Sequence, residues 1–104
     1  MTTQIMYRQG DILLKKVENV PNLDGWTLKN DLIIQYGELT GHKHQFENNA
    51  QLFEWNKQQM MAVVNHPSAK LIHEEHDTIV IPEGMYQVVR QREFDEKEIR
   101  YVSD

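Results

Sequence analysis

A chain of 104 residues is the size of one domain, large enough to bury a core and too small to divide into two. Its hydrophobic share of 39%, with two Trp, four Tyr and three Phe, excludes a disordered tract, which lacks the apolar surface that offsets chain entropy. A net charge of -5 argues against non-specific binding to nucleic acid, which phosphate neutralisation drives, and the absence of cysteine removes disulfides and thiolate metal sites, leaving nitrogen and oxygen to hold any metal.

In chain order, the N-terminal segment Met1-Thr2-Thr3-Gln4-Ile5-Met6 has no charged stretch leading into an apolar run. No run of about eighteen apolar residues occurs anywhere, so the expected setting is cytoplasmic, without a membrane partner. Short apolar runs then predict strands at Ile5–Tyr7, Asp11–Val17, Leu32–Tyr36, Lys43–Phe46, Gln51–Trp55, Met60–Val64, Ala69–Ile72, Thr78–Ile81 and Met85–Phe94. Residues with turn chemistry separate them, among them Arg8-Gln9-Gly10-Asp11, Glu47-Asn48-Asn49, Asn65-His66-Pro67-Ser68 and Pro82-Glu83-Gly84. Glu18–Asp31 is the longest irregular stretch, and Trp26 within it predicts a packed side loop or lid. Helical character is confined to Asp95–Arg100, too short to shape the architecture. The expected fold is all-β: one small β-barrel or jelly roll over residues 1–104, folding alone or as a small oligomer such as a homodimer.

Alternation in Met85–Phe94 sets Tyr86, Val88, Arg90, Arg92 and Phe94 on one face. The two arginines there either pair with acidic neighbours on a solvent-facing rim or offer their planar forks to an anion.

Chemistry concentrates in the histidines at 42, 44, 66, 73 and 76. His42 and His44 are separated by one residue, so on an extended chain both rings leave the same face. His73 and His76 are three apart, which brings their rings together on a turn, with Glu74 and Glu75 alongside. Neutral imidazole with carboxylate suits zinc, manganese, iron or nickel, so His42, His44, His73 and His76 are candidate ligands. The competing reading is a set of surface histidines hydrogen-bonded to acidic neighbours. His66, beside Pro67, is the expected bystander. Gly37 and Gly41 mark a turn where backbone bends or approaches closely, or simply a permissive hairpin, and Glu38 and Thr40 are candidates to fix an imidazole tautomer.

These residues resemble the cupin superfamily, in which a small jelly-roll barrel holds a metal through a His-x-His pair, a following glutamate and a later histidine. Gly37, His42, His44 and Glu47 match the first motif in part, and Pro82-Glu83-Gly84 leads into a strand as the second does. The resemblance implies Glu47 as a fifth candidate ligand, although it lies one residue closer to the pair than in the family. Gln87 stands where the later histidine would be, so His73 or His76 would substitute. Most of the chain is also similar to a family of small uncharacterised bacterial and phage proteins, through Tyr7–Asp11, Gly37–His44, His73–His76 and Arg90–Glu93. That likeness supports the choice of residues and implies no reaction.

The leading expectation is a cupin-like metal-binding protein using the His cluster, with oxygen from Glu47, Glu74 or Glu75, acting as a small metal-dependent enzyme if a coordination position stays open. A second reading is metal-free phosphodiester chemistry, with two histidines as general base and acid and Arg8, Arg90 or Arg92 steadying the charge. A third is a non-enzymatic accessory module that docks a protein partner through exposed apolar residues such as Met60, Met61 or Trp55.

Overall fold

The structure is a computed structural model, and it describes residues 5–19, 21–36, 41–56 and 58–90. It contains β1 (Met6–Gln9), β2 (Ile12–Lys16), β3 (Thr27–Leu28), β4 (Ile33–Tyr36), β5 (Lys43–Phe46), β6 (Ala50–Trp55), β7 (Gln59–Ile72) and β8 (Ile79–Arg90), with no helix among the described residues. The proposed helical turn at Asp95–Arg100, Arg92, Gly37, Glu38 and Thr40 lie outside the described residues.

All pairings are antiparallel, in the order β1-β2-β8-β7-β5-β4. β7 also pairs with β6 along its first half, and β3 adds to β6. The sheet curls around one core in the manner of a small barrel or jelly roll, without closing. Ile12, Leu14, Phe46, Leu52, Ala62, Leu71, Ile81 and Tyr86 fill it. Tyr86 is fully buried; its hydroxyl donates to Pro82 O at 2.8 Å, and burial, with Tyr7 edge-on at 5.9 Å, pushes its phenol up to about 12.

Two stretches expected to be turns instead lie inside long strands. At about 3.3 Å per residue the 14 residues of β7 would reach about 46 Å. The molecule measures 33 × 30 × 29 Å, so the strand bends. The bend lies between Val64↔Gly84 and Ser68↔Pro82, where residues 65–67 of β7 face Glu83 alone. Such a bulge leaves carbonyls off the ladder and tolerates a proline. Asn49 takes up the strays, its side-chain amide donating to the carbonyls of Asn65, His66 and Ser68 at 3.0, 3.3 and 2.8 Å. The extra residues also reset alternation: Met60, Ala62 and Val64 face the core before the bend, Ala69 and Leu71 after it.

The segment from Glu18 to Asp31 carries the short strand β3 that its irregular composition concealed, and it packs beside β6, with Trp26 and Trp55 rings 6.0 Å apart. Met60 and Met61, expected to be exposed, are buried. Met60 joins the core, while Met61 borders a cleft on the other face of the sheet together with Pro21 and Trp26. Trp55 alone of the three keeps substantial exposure.

Candidate metal centre

Three chain segments meet at one end of the curled sheet: the β1–β2 turn at residues 9–11, residues 42–44 at the start of β5, and residues 73–77 in the loop joining β7 to β8. The His73 ring lies 4.3 Å from that of His44, 4.6 Å from His76 and 5.7 Å from His42, and His44 stacks against His76 at 5.7 Å. All four imidazoles named from their spacing are therefore neighbours. The His-x-His pair presents both rings to His73, and the loop folds His73 and His76 together.

Gln9 organises the buried side of this cluster. Its side-chain N–H groups donate to Leu71 O and Asp77 O, each at 2.9 Å. With both donors committed to carbonyls, its Oε1 is left to accept, and it takes a bond of 2.8 Å from His44 Nδ1. That bond fixes the ring: Nδ1 carries the proton and donates, and Nε2 faces Asp11 Oδ1 at 3.4 Å. Asp11 is held in turn by Gln35, whose amide donates to Oδ2 at 3.1 Å.

Gly10 brings the turn against the rings. Its φ of 59°, with Asp11 at negative φ, matches a two-residue hairpin whose first central residue is glycine. A Cβ there would meet His76 Nε2 at 2.9 Å and His44 Cε1 at 3.1 Å.

On the outer side, the ligand atoms of His42, His73 and Glu74 lie within 4.8 Å of one another, the one such group of three or more among the described residues. Glu74 Oε1 accepts the Lys43 amide at 2.9 Å, which with its own amide and the Lys43 charge holds its carboxyl below the usual range, so it is ionised. Burial first, then the imidazoles of His44 and His76, push His73 below its ordinary value, so it is neutral near pH 7. His73 Nδ1 accepts the Glu75 amide at 2.9 Å, and Glu75 Oε1 stands 3.5 Å from His42 Nδ1. The end of the sheet thus gathers imidazole nitrogens beside carboxylate oxygens.

Glu47 does not join them. Phe46 N bonds to Leu32 O and Glu47 N to Lys70 O, consecutive amides pointing opposite ways as an extended strand requires. Glu47 therefore falls on the face opposite His44, and it is exposed. His66 is paired instead with Glu83, at 2.8 Å. Arg8 lines a cleft of about 290 Å3 with Gly10, His76 and Asp77, whereas Arg90 lines another of about 460 Å3 with Lys15 and Trp26, its Nη1 3.5 Å from Ile34 O.

Gln9, Asp11 and Gln35 were not foreseen as parts of the site. Gln9 and Asp11 flank a glycine in what reads as a plain hairpin turn, and their inward direction is a tertiary property. A family model described as "Domain of unknown function (DUF8820)" matches residues 8–91. No curated protein and no solved structure matches the chain.

Proposed function

The chain belongs to the DUF8820 family, whose matched span contains every residue of the cluster from Gln9 to His76, and we propose that it is a metal-binding protein of cupin-like character. Its cofactor is a divalent transition metal drawn from zinc, manganese, iron and nickel. The observation that carries this reading is the convergence of four imidazoles, His42, His44, His73 and His76, with Glu74 and Asp11 at their edges. Packed imidazoles repel one another once protonated, so a cluster kept for stability alone would be a poor choice. Neutral nitrogen and ionised oxygen are the donor set these ions take. His42, His73 and Glu74 would hold the ion, with His44 and His76 beside them.

When bound with an open position, such an ion supplies Lewis acidity or a water of lowered pKa. The chain's own contribution is orientation: Gln9 fixes the His44 ring, and the Lys43 amide steers Glu74. Metal-free phosphodiester chemistry is the weaker reading. Asp11, Glu74 and Glu75 would repel a phosphate.

The test is elemental analysis of protein purified without an affinity tag, beside a His42→Ala, His44→Ala double variant. Wild type is expected to carry near-stoichiometric metal and the variant little. Only trace metal in wild type, with no uptake on titration with zinc, manganese, iron(II) or nickel, overturns the proposal.

A further inference from the structure

His44 and Asp11 hold an unusual relation. Gln9 compels His44 Nδ1 to carry a proton, so in the neutral ring the lone pair on Nε2 points toward a carboxylate oxygen 3.4 Å away. That separation is long for a direct hydrogen bond between them. It matches something else. Nitrogen and oxygen ligands each about 2.0–2.1 Å from a tetrahedral ion lie about 3.3–3.4 Å apart.

The surroundings fit a built position. His44 is 5% exposed, the Asp11 carboxylate is steadied by Gln35, and the Gly10 backbone seats His76 Nε2 against the same turn. Asp11 lies outside the cupin-like motif, on a hairpin 31 residues before His42.

From this geometry we propose that Asp11 is a metal ligand, gripping a divalent cation jointly with His44 Nε2, so that the β1–β2 turn is part of the metal centre. This rests on the metal-binding reading above and extends it to a residue that no motif marks.

The experiment is titration of wild type and Asp11→Asn with Co2+ and Zn2+, following the visible Co2+ bands, the stoichiometry and the metal-induced rise in Tm. Asparagine still accepts the Gln35 bond, and its amide can donate to His44 Nε2, so the metal-free fold survives while the charged oxygen is lost. Expected are a metal-free Tm near that of wild type, at least a ten-fold weaker affinity or one fewer bound ion, and an altered Co2+ spectrum. Asp11→Ser is read alongside, in case the asparagine variant folds poorly. Wild-type affinity, stoichiometry and spectrum in a folded variant overturn the inference alone, marking the pair as held by a proton. If wild type binds no metal, the parent reading falls and this falls with it.

Discussion

Coordination through His73 must break one particular hydrogen bond. A neutral imidazole has one N–H and one lone pair, and here the lone pair is on Nδ1, where it accepts the Glu75 amide at 2.9 Å. An ion at Nδ1 takes that lone pair directly. An ion at Nε2 forces the proton onto Nδ1, which can then only donate. Either way the Glu75 N–H is released. An exposed bond of this kind contributes about 0.5–1 kcal/mol net. At about 1.4 kcal/mol per factor of ten, that corresponds to about a two- to five-fold loss of protection. The assay is amide hydrogen exchange at Glu75 by 15N NMR, with and without saturating Zn2+. The Asn65 amide, bonded to Asn49 O at 3.0 Å, serves as the reference. Faster exchange at Glu75 against a steady Asn65 is expected. Unchanged or slower exchange while calorimetry registers Zn2+ binding would show that His73 is not a ligand.

Gln9→Leu removes three hydrogen bonds at a buried position and strands Leu71 O, Asp77 O and the His44 N–H. It is expected to lower stability by about 2–3 kcal/mol and metal affinity by about 10–100-fold; an unaltered urea midpoint would contradict the role given to this side chain. Gly10→Ala imposes positive φ on a residue with a Cβ and pushes that Cβ to 2.9 Å from His76 Nε2. A cost of about 1–3 kcal/mol should appear in thermal unfolding, and a neutral outcome would mean the turn is not seated on the rings. Stability should also fall as pH drops below 6.5, the ordinary histidine value, because the unfolded chain takes up the proton there while folded His73 resists it until a lower pH. Glu74 acts in the same direction in a separate window, below its ordinary 4.5, since its folded carboxyl is the stronger acid. Urea midpoints from pH 7.5 to 5, compared with His73→Gln, check the first window, and parallel curves for the two proteins would count against it.

The sequence showed the class of the fold and the two histidine pairs because both depend on local spacing. Period-two alternation exposes strands, and separations of two and three residues decide which rings can meet. The same rule speaks against Glu47: three residues beyond His44 on a continuing strand is the opposite face, a point the family resemblance obscured. Long bent strands were harder to see, since Pro67 in a bulge and Pro82-Glu83-Gly84 within a strand carry the same residue types as a turn. The parity of the apolar residues held the better clue. It runs 60, 62, 64 and then 69, 71 in β7, with 81 followed by 86 and 88 in β8, a shift that a continuous strand with a bulge explains. Gln9 and Asp11 could not be found this way, because their partners lie 62 and 68 residues away for Gln9 and 24 for Asp11.

Every histidine of the cluster follows residue 41 in the chain, yet the clasp that locks them is threaded from the opening hairpin. A protease nick or a start site that removed the first ten residues would leave all the imidazoles in place and take away the Gln9 tether to Leu71, Asp77 and His44. Such a shortened product would keep the histidine motifs intact while losing the bonds that orient His44 and tie the 73–77 loop to it, so an intact histidine count would not report an intact cluster.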